Sequence, residues 1–395
     1  MAQGDPIPWL ALVGIGEDGF LSPAARTALD AAEVVYGGVR HLRLGAPFPG
    51  EARPWPSPMA DAFPGLLARR DRPTAVLASG DPMWFGVGAT LARLLPWADI
   101  ACHPAPSALT LACARLGWAA ENVGVVSLCG RPVETLVDRL RPGRRTIVLS
   151  ADEHTPAAVL ALLRDHGFGD TGVHLLEALG GPHERVRTVA GAVPGDIDRL
   201  NLLALEVRGP HRARTVLPDA AFSHDGQITK QEVRAATLAA LRSGGGETLW
   251  DVGAGSGSVG IEWLRADWAN AAIAVERRPD RAARAAANAR ALGVPRLQVV
   301  NGTAPDALAG LPTPDAVFVG GGAAGALDAC WSALPPGGRL VANAVTVETE
   351  ALLVDRRARW GGTLTRLAVE RLEPVGGFHA FRPAMTVTQY AGEKP

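Results

Sequence analysis

The chain has 395 residues, of which 39 are basic and 40 are acidic. A single hydrophobic core seldom grows beyond about 250–300 residues, so this length predicts two domains. The near balance of charge gives no overall electrostatic reason to expect a nucleic acid as a partner. The four cysteines form no CxxC pair, so we predict neither a disulfide framework nor a metal site from Cys102, Cys113, Cys129 and Cys330.

The sequence shows no basic and then apolar leader, and no apolar run approaches the roughly 18 residues that span a bilayer. We therefore expect a soluble, cytoplasmic protein with no membrane partner. Arginine supplies almost all of the positive charge, with 37 arginines against two lysines. Lys230 is a candidate functional residue for this reason, because its compact ammonium differs chemically from a guanidinium.

The first half alternates apolar runs with helical stretches. An apolar run at 7–13 leads into a glycine turn, after which Ser22 and Pro23 have the cap and first-turn pattern of a helix. Further strands are predicted at 33–36, 74–78, 101–103, 125–128, 145–149, 173–178 and 202–207, with a helix at 84–95 and an irregular connector at 47–64. This alternation predicts an α/β layer arrangement, in which ligand sites lie at the carboxyl ends of strands.

Three pieces of this half resemble the class III tetrapyrrole methylases. They are Leu12-Val-Gly14-Ile-Gly16, Ser79-Gly80-Asp81-Pro82 and Pro106-Ser107-Ala108, and the likeness covers most of residues 7–207. The resemblance implies two α/β subdomains with S-adenosyl-L-methionine folded between them. It places this cofactor against the backbone near six residues: Gly80, Asp81, Ser107, Ala108, Leu128 and Cys129.

Plainer interpretations stay open beside this resemblance. Asp81 before Pro82 is also a turn-forming pattern, and Ser107 also fits a helix cap. The family usually has a proline where this chain has Glu17, which leaves the contacts of the first glycine loop open. The residues of this half indicate no particular general base.

A polar connector at 211–214 follows the last strand of the first half, so we predict domains at 1–212 and 213–395. Beyond it, Thr229 and Glu232 have the spacing of a capping box that begins a helix. A capped helix start also exposes backbone N–H groups and a hydroxyl to a ligand, so Thr229 and Lys230 are candidate site residues as well.

A glycine-rich motif forms the centre of the second half. A strand at 248–252 carries Asp251 near its end, and a helix follows from about Ser258. The turn between them consists of Gly253, Ala254, Gly255, Ser256 and Gly257, and its glycines allow a cofactor to lie against the backbone. Glu276, at the end of the next strand, is placed to bind both hydroxyls of a ribose.

Two interpretations of this motif are possible, and each implies a different cofactor. Gly255-x-Gly257-x-x-Gly260 with a later acidic residue fits the dinucleotide fingerprint. The Asp251-x-Gly253-x-Gly255-x-Gly257 pattern resembles the first motif of the class I S-adenosylmethionine-dependent methyltransferases, and we favour this second interpretation. It implies a Rossmann-like domain with strands at 297–300, 315–319 and 339–342, a closing pair at 363–370 and 384–390, and the adenine near Thr303 and Ala304.

Fused in this order, the two halves resemble the bifunctional methyltransferases of corrin (cobalamin) biosynthesis. The resemblance implies methylation of C5 and C15 of precorrin-6B, loss of carbon dioxide from its C12 acetate, one S-adenosylmethionine per domain and a homo-oligomer. It makes Lys230, Asn343 and His379 candidate catalytic residues, and Arg131, Arg234 and Arg382 candidate ligands of substrate carboxylates. The alternatives are a class I RNA or protein methyltransferase with an N-terminal recognition domain, and a cofactor-sensing regulator without turnover.

Overall fold

The computed structural model describes residues 8–211, 216–321 and 323–395. The predicted domain boundary at 212 and most of the polar connector at 211–214 lie outside these ranges. The chain divides into two compact units, Met1–Val133 with Leu140–Pro210, and Glu134–Arg139 with His211–Pro395. No helix in the described ranges has the length and apolar character needed to cross a bilayer.

The first unit contains two sheets and the helices that cover them. Its elements are β1 (Leu10–Ile15), α1 (Pro23–Ala31), β2 (Val34–Gly37), α2 (Val39–Gly45), β3 (Glu51–Pro54), α3 (Phe63–Leu67), β4 (Thr74–Ser79), α4 (Val87–Leu91), β5 (Ile100–His103), α5 (Ala108–Leu116), β6 (Val123–Ser127), β7 (Arg145–Leu149), α6 (Thr155–Asp165), β8 (Gly172–Glu177), β9 (Arg185–Val189) and β10 (Asn201–Glu206).

The first sheet has the order β3-β2-β4-β1-β5 and is parallel throughout. The carboxyl ends of its strands therefore meet at one edge, where Ile15 pairs with Ser79. Apolar side chains cover both faces of the sheet: Leu10, Leu12 and Val76 belong to one buried cluster, and Val13 and Leu77 to the other. The second sheet has the order β6-β7-β10-β8-β9, in which only β6 and β7 run parallel.

Most predicted strands of this half are confirmed to within a few residues, and so is the helix start at Ser22. The Ser22 Oγ accepts a hydrogen bond from the Ala25 N–H at 3.2 Å. Two predictions were wrong. The connector at 47–64 contains the strand β3. The helix predicted at 84–95 is shorter, since α4 ends at Leu91 and cannot begin before Val87, because Phe85 has a φ of +52° and Gly86 is extended.

The second unit is built on one mixed sheet. Its elements are α7 (Gln231–Leu241), β11 (Thr248–Val252), α8 (Ser258–Ala266), β12 (Ala271–Glu276), α9 (Pro279–Ala291), β13 (Gln298–Asn301), β14 (Ala316–Val319), α10 (Ala323–Ala333), β15 (Arg339–Ala344), α11 (Val347–Trp360), β16 (Thr363–Leu367), β17 (Glu370–Val375), β18 (Phe378–Pro383) and β19 (Val387–Glu393).

The order of this sheet is β13-β12-β11-β14-β15-β19-β16. Its first five strands are parallel, and β19 lies antiparallel between β15 and β16. The predicted closing pair is therefore confirmed. The sequence did not predict the separate two-stranded hairpin of β17 and β18, whose residues are all exposed. The strand order reverses beside β11, which is the place where open α/β sheets bind ligands.

Candidate active sites

A cavity of about 440 Å³ lies in the first unit at the carboxyl ends of β1 and β4. Its volume is within the range of small-molecule and cofactor pockets. Five of the six residues predicted to contact a cofactor here line the cavity, namely Gly80, Asp81, Ser107, Ala108 and Cys129. Leu128 is not among the lining residues. It is buried, and its backbone N–H donates to the Leu149 carbonyl at 2.9 Å.

Three backbone segments approach one another closely beneath this cavity. Gly80 has a φ of +57°, and its carbonyl accepts a hydrogen bond from the Ala105 N–H at 3.1 Å. A Cβ on Gly14 would lie 2.0 Å from the Gly80 oxygen, and a Cβ on Gly80 would lie 2.8 Å from the Pro106 oxygen. Side chains would separate these segments, so the glycines create a cradle of bare backbone.

Asp81 and Ser107 also have the local roles that the plainer interpretations gave them. The Asp81 Oδ1 accepts from the Met83 N–H at 2.8 Å, which closes the turn after β4. The Ser107 Oγ accepts from the Thr110 N–H at 3.2 Å and caps α5. Both residues line the cavity, so the local role and the ligand role are compatible.

A polar cluster on the same cavity wall was missed by sequence reasoning. The His41 Nε2 lies 2.7 Å from the Ser79 Oγ, and the Arg40 Nη2 donates to this oxygen at 2.8 Å. Arg40 also forms an ion pair with Glu17, the residue that stands in place of the family's proline. Burial, reinforced by the charge of Arg40, lowers the pKa of His41 to about 4. Local sequence patterns could not predict this cluster, because the contact of His41 with Ser79 requires α2 and β4 to be adjacent.

Aromatic side chains extend the cavity wall towards solvent. Trp84 and Phe85 line the cavity and are 42% and 50% exposed. The guanidinium of Arg131 lies over the Phe85 ring, 5.9 Å from its centroid. This places an apolar surface and a positive charge together, a combination that suits a large flat molecule with carboxylates.

The glycine turn of the second unit has the conformation that its sequence predicts. Gly253, Gly255 and Gly257 have φ values of +70°, +56° and +73°, a region that disfavours residues with a side chain. A Cβ on Gly253 would lie 2.7 Å from the Gly321 oxygen, so this glycine is needed for packing. A Cβ on Gly255 would meet nothing closer than the Gln227 oxygen at 3.7 Å. The space beside Gly255 is therefore open to a ligand.

Asp251 lies under this turn and is 1% exposed. Its Oδ2 accepts a hydrogen bond from the Gly260 N–H at 2.9 Å, and its Oδ1 has no hydrogen-bond partner among the described residues. Burial raises the pKa of Asp251 to about 7, and the negative charge of Glu276 acts in the same direction. A buried carboxyl oxygen without a partner favours binding of a donor such as an ammonium or a hydroxyl group.

Glu276 ends β12 beside the same turn. Its Oε2 accepts from the Gly255 N–H at 2.9 Å, and its Oε1 accepts from the Arg278 N–H at 3.0 Å. These bonds fix the carboxylate in one orientation and leave further lone pairs for ligand hydroxyls. The Glu276 carbonyl accepts from the Gly302 N–H at 3.0 Å. This hydrogen bond brings Thr303 and Ala304, which are predicted to contact the adenine of the cofactor, next to the end of β12.

The remaining predicted turn residues have clear positions. The Ala254 N–H donates to the Val275 carbonyl at 3.2 Å, which ties the turn to β12. Ser256 is buried, and its Oγ has no hydrogen-bond partner among the described residues. Together with the free oxygen of Asp251, this hydroxyl gives the turn two buried polar atoms that suit a polar ligand.

The capping box predicted at Thr229 was wrong. Helix α7 begins at Gln231 with Lys230 as its N-cap, and the Lys230 side chain makes no capping hydrogen bond. The Thr229 carbonyl instead accepts from the Arg234 Nη1 at 2.6 Å. Thr229 follows Gln227, whose backbone oxygen faces Gly255, so it stays a predicted neighbour of the cofactor.

Arg234 is fully buried, so its candidate role as a ligand of substrate carboxylates was wrong. Its guanidinium bonds the carbonyls of Thr229 and Leu217 and lies 3.2 Å from the Asp219 Oδ1 and 3.6 Å from the Glu262 Oε1. Arg234 therefore stabilises the segment that precedes α7.

Proteins of known identity match this chain over almost its whole length. A curated relative from Sinorhizobium sp., named precorrin-6Y C(5,15)-methyltransferase (decarboxylating), is 50% identical over 98% of the chain and 97% of its own length. The chain belongs to the precorrin-6Y C(5,15)-methyltransferase (decarboxylating) family. Two family models divide it, with Tetrapyrrole (Corrin/Porphyrin) Methylases matching residues 10–194 and Precorrin methyltransferase domain matching residues 220–394.

Two shorter curated proteins each match about half of the present chain. The cobalt-precorrin-7 C(5)-methyltransferase of Salmonella typhimurium is 29% identical over 50% of the chain and 100% of its own length. The probable cobalt-precorrin-6B C(15)-methyltransferase (decarboxylating) of Pyrobaculum calidifontis is 33% identical over 44% of the chain and 95% of its own length.

The three residues predicted as catalytic in this precorrin methyltransferase family member occupy different environments. The Lys230 Nζ lies 3.8 Å from the Asp219 Oδ2, beside the start of α7. The Asn343 amide donates to the Thr237 Oγ1 at 3.0 Å and accepts from the Gln389 Nε2 at 3.0 Å. His379 is exposed on the β17–β18 hairpin. No described hydrogen bond or ion pair joins one of these three residues to another, and their catalytic roles stay predictions.

Proposed function

We propose that this protein is a bifunctional S-adenosylmethionine-dependent methyltransferase of cobalamin biosynthesis. It methylates C5 and C15 of precorrin-6B and removes carbon dioxide from the C12 acetate. The observation that carries this proposal is the 50% identity over 98% of the chain to a relative with this name. The two separate sites, one in each unit, support it because two methyl groups have to be delivered to different carbons.

The first domain, 1–212, methylates C5 in this proposal, and the second, 213–395, methylates C15 and decarboxylates. The division is supported by the two family models, because the first match ends at residue 194, the second begins at residue 220, and the predicted boundary lies between them. It is also supported by the two half-length relatives, whose names give one of these activities each.

Each domain binds one S-adenosylmethionine in this proposal. In the first, the bare backbone around Gly80, together with Ser107, Ala108 and Cys129, would hold the cofactor in the 440 Å³ cavity. In the second, the unpartnered oxygen of Asp251 suits the cofactor's ammonium, and Glu276 suits its ribose hydroxyls. The cofactor supplies a methyl group activated by a sulfonium, so neither domain needs a nucleophilic side chain.

The protein's contribution to methyl transfer is mainly positioning. Aligning a methyl group with a nucleophilic carbon can lower the barrier by about 7–11 kcal/mol in favourable cases. In the first domain, Trp84 and Phe85 offer apolar contact to a macrocycle, and Arg131 above Phe85 offers a charge to its carboxylates. Arg382, on the exposed β17–β18 hairpin, already pairs with Glu373 at 3.4 Å, so it is the weaker candidate.

Decarboxylation requires the second domain to bind the departing carboxylate where water is scarce and then to protonate the product. The electrons left by carbon dioxide enter the conjugated macrocycle. Lys230, Asn343 and His379 are the candidate groups. Lys230 is the best supported, because it precedes α7 in the segment that faces the glycine turn.

The assignment of the activities is tested in the full chain with one disabled site at a time. Ala108 lines the first cavity and is exposed, so in Ala108→Phe the larger ring occupies the cavity without disturbing the hydrophobic core. Gly255→Ala places a methyl group where the cofactor of the second domain would lie. With precorrin-6B and S-adenosylmethionine, we expect Ala108→Phe to release carbon dioxide and methylate C15 only. Its isolated product, given to Gly255→Ala, should then be methylated at C5.

Mass spectrometry and NMR of the products identify the methylated carbon. If Ala108→Phe methylates C5 and releases no carbon dioxide, the assignment of the domains is wrong. If the unmodified chain does not methylate precorrin-6B at all, the proposed function is wrong. Calorimetry with S-adenosylhomocysteine should give two sites in the unmodified chain and one in each variant.

Two further expectations belong to this proposal. The protein is a cytoplasmic homo-oligomer that takes the tetrapyrrole as its partner and binds no nucleic acid. Light scattering of the purified chain measures the oligomeric state, and a monomer at working concentrations would contradict this part.

A further inference from the structure

The first cavity contains a hydrogen-bonded group that methyl transfer itself does not use. It consists of His41 and Arg40 on α2, and Ser79 at the end of β4. All three residues line the cavity. The Ser79 Oγ lies 2.7 Å from the His41 Nε2 and 2.8 Å from the Arg40 Nη2.

Arg40 determines which nitrogen of His41 is free to accept a proton. The Arg40 Nη2 lies 2.9 Å from the His41 Nε2. A guanidinium has donors and no acceptor, so this contact is favourable only if Nε2 carries a lone pair. The Ser79 hydroxyl therefore accepts from Arg40 and donates its hydrogen to Nε2.

The other ring nitrogen of His41 then carries the hydrogen. This Nδ1 is buried and has no hydrogen-bond partner among the described residues. It packs against the backbone of Gly38, where an added Cβ would lie 3.3 Å away. The favourable contacts at Nε2 therefore set the tautomer, and they direct its lone pair towards Ser79 and the cavity.

Methylation of C5 creates a need for such an acceptor. The bridge carbon of the macrocycle forms a bond to the methyl carbon, and the carbon–sulfur bond of the sulfonium breaks with its electron pair going to sulfur. The positive charge passes to the macrocycle. To restore conjugation, the carbon–hydrogen bond at C5 breaks, its electrons return to the ring, and one proton leaves.

We propose that His41 accepts this proton at Nε2, with the Ser79 hydroxyl relaying it from the cavity. This inference rests on the proposed C5 methylation by the first domain. Ser79 receives the substrate proton as it passes its own hydrogen to Nε2, so neither residue is consumed, and His41 later releases the proton to water. Arg40 is a positioning residue that keeps Nε2 unprotonated beforehand.

The charges around His41 suit a general base that must be unprotonated before each turnover. Burial and Arg40 hold its pKa near 4, so it is neutral at physiological pH. Glu17, from the loop after β1, pairs with Arg40 and offsets part of that charge, and Asp81 lines the same cavity. A weak base is sufficient here because a methylated macrocyclic cation is a strong carbon acid.

The test compares His41→Gln and Ser79→Ala with His154→Gln, the same change at a histidine whose side chain is 86% exposed. The full-length variants receive precorrin-6B with hydrogen or deuterium at C5. Loss of a general base lowers the C5 methylation rate by about 100-fold or more. We expect this loss in His41→Gln, together with a primary isotope effect at C5 that is larger than in the unmodified chain. Ser79→Ala should show the same effect to a smaller degree.

Methylation at C15 in the same molecules is the internal control, and both rates should be unchanged in His154→Gln. An unmodified chain without C5 methylation refutes the proposed function, whereas C5 methylation by His41→Gln at an unchanged rate and isotope effect refutes only this inference. If His41→Gln does not fold, Ser79→Ala decides in the same way.

Nitrogen NMR of labelled histidine gives a readout without substrate. We expect His41 in the unmodified chain to carry its hydrogen on Nδ1 at pH 7, and a hydrogen on Nε2 would overturn the proposal.

Discussion

The raised pKa of Asp251 predicts that binding of S-adenosylmethionine at the second site releases a proton. The carboxyl is buried, and its pKa is about 7. At pH 6 roughly nine-tenths of the molecules hold it neutral, and at pH 8 roughly one-tenth do. A cofactor ammonium beside the free Oδ1 favours the charged form, so binding at pH 6 should release about 0.9 protons. At pH 8 the Asp251 carboxyl is already mostly ionised and the cofactor's amino group has to take up protons, so no net release is expected.

The affinity of the second site for the cofactor should therefore fall as the pH falls. The ionised fraction falls from about one-half at pH 7 to about one-tenth at pH 6, so the dissociation constant should rise roughly fivefold over this interval. Calorimetry in buffers with different ionisation enthalpies measures both quantities. The Ala108→Phe chain is the right background, because only the second site then binds the cofactor.

Asp251→Asn removes the titrating group and keeps an oxygen for the Gly260 N–H, so it should bind weakly and release no proton. Asp280→Asn is the matched control, because Arg278 holds the pKa of Asp280 below its usual range and this carboxylate is ionised throughout. Proton release that is equal at pH 6 and pH 8, or that persists in Asp251→Asn, would show that Asp251 does not contact the ammonium.

Three further outcomes follow from packing. Gly253→Ala should lower the free energy of unfolding by about 2–4 kcal/mol in chemical denaturation, because strain at a positive φ adds to a clash with the backbone of Gly321. Gly310→Ala is the control, since its φ is +77° but the space around it is open, and it should lower the free energy of unfolding by only about 1–2 kcal/mol. Arg234→Met should cost about 3–5 kcal/mol in the same assay because the Thr229 and Leu217 carbonyls and the Asp219 carboxylate lose a shared buried donor, and an unchanged midpoint would contradict this. Iodoacetamide should modify exposed Cys129 first, more slowly with S-adenosylhomocysteine bound, and should spare Cys330, whose pKa burial raises to about 12.

The sequence by itself determined the features that depend on neighbouring residues. Asp251 and the glycine turn lie within a few positions of each other, so their spacing specifies a strand, a tight turn and a helix. Ser22 followed by Pro23 specifies a helix start in the same way. The turn after β4 is also local, and its position on the cavity follows from the rule that parallel strands end at one edge.

Tertiary structure decided the features that join distant parts of the chain. His41 and Ser79 are 38 residues apart, and their contact exists only because α2 packs beside β4. Arg234 has the spacing of an ordinary helix residue, and its burial depends on Leu217 and Glu262, which local periodicity does not reveal. An edge strand such as β3 has too few buried side chains to give a hydrophobic pattern. Local patterns fix the backbone at a site, whereas the packing of separate elements decides which side chains meet there and how strongly their protons are held.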